Sequence, residues 1–131
     1  MALWTAQYRY SGTDRMDITA KANNIFSPPW KLVSAYKNAE ARASLLPDKA
    51  AAEKMMSGAK SIYKDDFMRQ LEKKISGDPL GVGGMIDYLN KHDLTMVCFC
   101  NVKKTGFCHR LLAAEYLHDV FGVIYNGERR L

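Results

Sequence analysis

The stretch Thr95-Met96-Val97-Cys98-Phe99-Cys100-Asn101-Val102-Lys103-Lys104-Thr105-Gly106-Phe107-Cys108-His109-Arg110-Leu111-Leu112 decides the fold. Together with Leu94, its first part is a nearly continuous apolar run, as expected of a strand buried on both faces of a sheet. Its middle is a short basic loop. Its last part opens an amphipathic helix over Phe107–Val120, with Leu111, Leu112, Tyr116, Leu117 and Val120 on the apolar face. All three cysteines of the chain fall here, beside His109 and Arg110.

On the amino-terminal side, residues 3–10 are rich in β-formers and read as a first strand. Ser11-Gly12-Thr13-Asp14 is turn-prone, and Asp17-Ile18-Thr19 a short extended piece. Pro28-Pro29 fixes an irregular loop over 21–30. A short helix follows over 30–42. Pro47 opens a second helix of strong helix formers, which Gly58 is expected to interrupt. Ile62, Tyr63, Phe67, Leu71 and Ile75 then mark an amphipathic helix ending at Gly77-Asp78-Pro79. Gly81-Val82-Gly83-Gly84 lacks the spacing of a phosphate-binding loop and reads as a flexible lead into a short helix around Met85–Leu89. After the decisive stretch, Gly122 stops the helix. Val123-Ile124-Tyr125 is a last short strand, Asn126-Gly127 a turn, and Glu128-Arg129 a tail.

This order of strands and helices predicts a single α/β domain over residues 1–131 with a mainly parallel sheet. Ligands in such sheets bind at the carboxyl ends of strands. That places Ser11 and Asp14 on the same rim as Asn101–Arg110 if the two strands are parallel neighbours.

The chain has 131 residues, 47% of them hydrophobic and 25% charged, the profile of a globular domain. No apolar run approaches bilayer-spanning length, and the first residues lack the pattern of a signal peptide. A cytoplasmic protein without membrane contact is expected. An odd, clustered set of three cysteines argues against a disulfide framework. A formal net charge of +5 and a pI near 9.1 favour anionic partners such as nucleotides, nucleic acid or phosphorylated metabolites, with plain solubility charge as the competing reading.

Within the decisive stretch, Cys98 and Cys100 point to the same strand face. Cys98, the deeper of the two, reads as a core residue, and Cys100 as facing the loop. Cys108 lies near a helix N-terminus, where unpaired N–H groups favour a thiolate. Thr105 is a candidate cap, and Gly106 gives the backbone room near a ligand. Three site chemistries fit these residues. In the first, Lys103, Lys104, Gly106 and a fork-shaped Arg110 hold a phosphate or base. In the second, Cys108 is a nucleophile assisted by His109, although adjacent helical residues point about 100° apart. In the third, cysteines and His109 bind zinc, at a spacing unlike the usual knuckles. Against all three stands a packing role, with His109 bonded to a neighbouring loop. His92 and His118 read as a turn residue and a solvated one.

Val97-Cys98-Phe99-Cys100, a short loop, and Cys108-His109-Arg110-Leu111-Leu112-Ala113-Ala114-Glu115 resemble the domain of unknown function 488 family. In that family a hydrophobic strand ends in a cysteine and Cys-His-Arg opens a helix. The specific likeness covers about 20 residues. It implies a three-layer, Rossmann-like α/β sandwich, and a role in nucleotide or nucleic-acid metabolism. It makes Cys98, Cys100, Cys108, His109 and Arg110 the candidate site. Family members carry a glutamate just after the strand's cysteine, where this chain has Phe99-Cys100. The small size and loosely matching middle look like a divergent, phage-borne member. The combined expectation is a protein that binds or processes a nucleotide or base, with Cys108 and His109 as catalytic groups and no cofactor. Arg110, Lys103, Lys104, Gly106, Ser11, Asp14 and Cys100 would form its ligand-binding set. The runner-up is a binding protein in which the Cys-His-Arg unit is structural.

Overall fold

A computed structural model describes residues 2–99 and 108–130. The elements in order are β1 (Leu3–Gln7), β2 (Arg15–Asp17), α1 (Trp30–Ser44), α2 (Lys49–Gly77), α3 (Pro79–Leu89), β3 (Leu94–Cys98), α4 (His109–Phe121) and β4 (Tyr125–Glu128). The four strands form one all-parallel sheet in the order β2-β3-β1-β4. The chain is therefore an α/β sandwich with a parallel sheet, as its sequence pattern predicts.

Strand register fixes what each face carries. Leu3 lies opposite Leu94 and Gln7 opposite Cys98. Alternation then puts Leu3, Thr5, Met96 and Cys98 on one face, and Trp4, Ala6, Thr95 and Val97 on the other. Leu3, Met96 and Cys98 share one buried cluster with Leu32 of α1, Phe67 and Leu71 of α2, Val82 of α3 and Leu117 of α4. The helices thus cover the first face. Topology explains why. The steps β2 to β3 and β3 to β4 run in the same direction across the sheet, so right-handed connections place both on one side. The step β1 to β2 runs backwards, and residues 8–14 pass on the other side. A parallel crossover ordinarily needs a dozen residues or more. This shorter one suffices because β2 has only three residues. Arg129 completes that second layer, its guanidinium 4.1 Å from the Trp4 ring centre and 5.6 Å from that of Tyr10.

Several local expectations change. Helix α2 runs through Gly58 without a break, because its neighbours are strong helix formers and one exposed glycine costs only about 1 kcal/mol. Its first half buries no side chain in the core; Tyr63, Phe67, Leu71 and Ile75 do so in the second half. The glycines at 81, 83 and 84 lie inside α3 rather than ahead of it. Asp78 caps that helix, accepting from the Gly81 backbone N–H at 3.1 Å, with Pro79 in the first turn. A Cβ on Gly81 would stand 2.2 Å from the Asp78 carboxylate, so glycine leaves room for the cap. Gly122 ends α4 in the left-handed region, at φ +71°. His118 then bonds the Val123 carbonyl at 2.8 Å rather than being merely solvated. The last strand is Tyr125–Glu128, so Asn126-Gly127 belongs to it and Glu128 is no loose tail.

No helix among the described residues is long and apolar enough to cross a membrane.

Candidate thiol site

Cys98 ends β3 on the helix-covered face and is fully buried. Cys108 is the N-cap of α4, with extended backbone angles of φ −157° and ψ 155°. The cap is therefore at Cys108, not Thr105, and the helix starts at His109. The two sulfurs lie 2.8 Å apart and are not joined in a disulfide. A covalent S–S bond is about 2.05 Å. Cys98, read from the sequence as core packing, is thus one half of a pair.

The extended backbone at Cys108 also removes the geometric objection to a Cys108–His109 contact. The 100° fan of helical neighbours holds only where both residues are helical. Here Cys108 precedes the helix, and its sulfur lies 3.6 Å from His109 Nδ1.

His109 is buried and fixed at both ring nitrogens. Nε2 donates to the Ile18 carbonyl at 2.8 Å, since a carbonyl only accepts. In the neutral ring Nδ1 is then an acceptor, and the Tyr63 hydroxyl lies 3.4 Å from it. The Phe67 ring stands 5.7 Å away, between ring centres. Burial, joined by the positive charge of Arg110, holds His109 below its ordinary pKa of 6.5 against the opposing pull of Cys98 and the Ile18 carbonyl. Ile18 itself bonds to the Val97 carbonyl at 3.0 Å, so its peptide ties α4 to the sheet through His109.

Among the described residues, Arg110 is the largest fully buried side chain. Nε and Nη2 donate to the two carboxylate oxygens of Glu128, at 3.1 and 2.6 Å. Nη1 faces the sulfurs, 3.0 Å from Cys98 and 3.6 Å from Cys108. Burial alone would lower its pKa. The Glu128 hydrogen bonds and the charges of Cys98 and Cys108 raise it instead, and the guanidinium stays protonated. The expected fork is present, but its two parallel bonds go to a carboxylate of the chain itself. Glu128 is 37% exposed, so water screens part of its charge. The sulfurs lie on the dry side of the guanidinium, where its charge favours a thiolate.

Glu128 reaches this position through a bulge. Leu3 pairs with Tyr125 and Thr5 with Glu128, so two steps on β1 match three on β4. Gly127 takes up the extra residue at φ +101°. Both Tyr125 and Glu128 consequently face the helices. The Tyr125 hydroxyl shares a 2.7 Å hydrogen bond with Thr5 Oγ1.

The other predicted site residues fall elsewhere. Ser11 is exposed. Asp14 stands at the amino end of the sheet, because the chain has turned back before β2 starts. It accepts from Thr95 at 2.6 Å and Tyr10 at 2.7 Å, and pairs with Arg129 at 3.2 Å. Burial opposes its charge, but the Thr95 and Tyr10 hydrogen bonds and Arg129 hold its pKa below 3.8. β1 and β3 are parallel neighbours, as supposed, yet Asp14 lies beside the first residues of β3 and Cys98 at its far end. Cys100, Lys103, Lys104 and Gly106 lie outside the described residues.

Glu128, Tyr63 and Ile18 join the site without having been picked from the sequence. Only Glu128 left a trace there, through the glycine beside it in a strand pattern. Donor atoms of Cys98, Cys108 and His109 lie within 4.8 Å of one another, a spacing that suits a metal. A histidine anchored to a backbone carbonyl through its other nitrogen also suits one. The guanidinium beside both sulfurs does not, since it sets a fixed positive charge next to a dication.

The chain matches no protein-family model, no curated protein and no solved structure.

Proposed function

We propose that Cys108 is the nucleophile of a small α/β protein that binds and processes a nucleotide or a nucleic-acid base. The observation that carries this reading is the contact of Arg110 Nη1 with both sulfurs, at 3.0 and 3.6 Å, inside a buried cluster. Glu128 takes two of the five guanidinium N–H groups, and Nη1 turns to the sulfurs. Its approach to Cys108 at the start of a helix, with Cys98 beside it, is the setting that makes a thiol nucleophilic. His109 is a positioning residue and a proton acceptor for Cys108. The nucleotide class rests on three supports. The chain carries a net charge of +5. The site lies where the carboxyl end of a parallel strand meets a helix N-terminus, a place that suits an anionic ligand. The Cys-His-Arg stretch resembles the domain of unknown function 488 family, and membership of it is part of the proposal.

The structural runner-up accounts for His109 and Arg110 as tethers to Ile18 and Glu128. It takes the sulfurs as acceptors for the buried Nη1 donors, and it expects no thiolate chemistry at Cys108. A zinc module draws on the donor spacing and is opposed by the same guanidinium.

The test is a panel of nucleosides, nucleotides and single-stranded oligonucleotides. A ligand in the panel should raise the unfolding midpoint, and its conversion, followed by chromatography, should stop in Cys108→Ser. A chain indifferent to the whole panel would point to the tethering reading.

A further inference from the structure

We infer that Cys98 and Cys108 form a redox pair that closes to an intramolecular disulfide on reaction with a hydroperoxide. This rests on the two sulfurs and their surroundings, and not on the nucleotide reading; it shares with that reading only the ionised sulfur.

Three observations carry it. The sulfurs are 2.8 Å apart, so bond formation at about 2.05 Å requires a movement of less than one ångström. One charge serves both: Arg110 Nη1 stabilises whichever sulfur is ionised, and so also the thiolate that leaves when the bond is reduced. The two partners have different settings. Cys98 is enclosed at the end of β3. Cys108 is buried too, but it caps α4, with His109 Nδ1 at 3.6 Å to take its proton. Cys108 is therefore the sulfur that meets the oxidant, and Cys98 the one that resolves it.

The steps balance. The Cys108 thiolate attacks one peroxide oxygen and the O–O bond breaks. The other oxygen leaves as alkoxide or hydroxide and takes a proton, leaving Cys108 as a sulfenic acid. The Cys98 thiolate then attacks the Cys108 sulfur. The S–S bond forms, the S–O bond breaks, and hydroxide leaves and is protonated to water. Two thiols and one hydroperoxide give one disulfide, one alcohol (water, from hydrogen peroxide) and one water. The sulfurs lose two electrons and the peroxide gains them. A dithiol reductant reverses the change by exchange.

The experiment uses the full chain, reduced, freed of reductant and treated with one equivalent of hydrogen peroxide. Intact mass should fall by two hydrogens and return on adding dithiothreitol. Peptide mapping should place the bond between Cys98 and Cys108, with Cys100 still alkylatable. Cys98→Ser should stop at a sulfenic acid that a 1,3-dione probe traps at Cys108, and Cys108→Ser should give neither product. Oxidation should run at least about tenfold faster than that of a small free thiol. A bond through Cys100, or a rate no better than the free thiol, overturns the inference. Nucleotide response in the thermal panel is scored separately on the fully reduced native chain, so either idea can fail without the other.

Discussion

Glu128 meets the buried Arg110 through two parallel hydrogen bonds, at 3.1 and 2.6 Å, because the β1–β4 pairing gains one residue just before it. A strand without that bulge would turn Glu128 to the opposite face, since a one-residue slip reverses every side chain. The last strand therefore does more than close the sheet. It supplies the countercharge that lets a guanidinium sit beside two sulfurs.

Removing the carboxylate should expose how much the cluster depends on it. Breaking a fully buried ion pair costs 3–5 kcal/mol. Glu128 is 37% exposed, so Glu128→Ala should cost less, roughly 2 kcal/mol in urea unfolding, and Glu128→Gln about half that. An unfolding midpoint unmoved by either change would show that Arg110 finds equivalent partners without Glu128.

The bulge gives an independent handle on the same contact. Gly127 has φ +101°, where a β-branched residue is strained. Gly127→Val should cost about 1–2 kcal/mol. Part of that cost is the misdirected carboxylate. In a double-mutant cycle Gly127→Val should therefore cost less in a Glu128→Ala background. Strict additivity would separate the glycine from the ion pair.

His109 should make stability pH-dependent in a defined window. Its folded pKa lies below the unfolded value of 6.5. Between the two, the unfolded chain binds more protons, so stability rises with pH. The contribution is complete above about 6.5 and is lost as pH falls through the lower folded value. Urea midpoints of the native chain should decline from pH 7 to pH 5, and His109→Gln should flatten that decline. Its side-chain amide N–H group retains a donor for the Ile18 carbonyl. Equal slopes in the two proteins would place the proton uptake elsewhere.

Metal removal should do nothing. With Arg110 Nη1 at 3.0 Å from Cys98, a dication among the three donors would face a fixed positive charge. Chelator treatment should leave the unfolding midpoint unchanged, and protein purified without chelator should carry no stoichiometric zinc. Zinc at one equivalent, lost together with stability, would reverse the assignment of the cluster.

The parallel sheet was legible because its signals are local and redundant. Leu94–Cys98 is apolar but for Thr95, and the helix after Cys108 has a clear apolar face, so the β-α unit could be read directly. The pairing of Cys98 with Cys108 was not legible. It depends on an extended backbone at the N-cap, which no periodicity reports. Glu128 was hidden for a related reason: a bulge shifts strand phase, and phase is what a sequence pattern measures. Asp14 was misplaced because a seven-residue connection, 8–14, returns the chain to the start of the sheet, where a helical crossover is the usual expectation. Gly58 and the glycines of α3 misled by composition, since strong helix-forming neighbours at Gly58 and an Asp78 cap on α3 outweighed their propensity.

The position of Asp14 yields the last test. Its carboxylate accepts from Thr95 and Tyr10 and pairs with Arg129 beside Trp4, on the sheet face opposite Cys98. Asp14→Ala removes a partly buried acceptor from three donors and should cost roughly 1–3 kcal/mol. Because the Asp14 charge is favoured in the fold, that cost should shrink as pH falls below 3.8. Neither Cys108 reactivity toward peroxide nor any nucleotide response should change beyond the shift in stability. A selective loss of either, with the fold intact, would bring the amino-terminal rim into the site and require that the second sheet face communicate with the sulfurs.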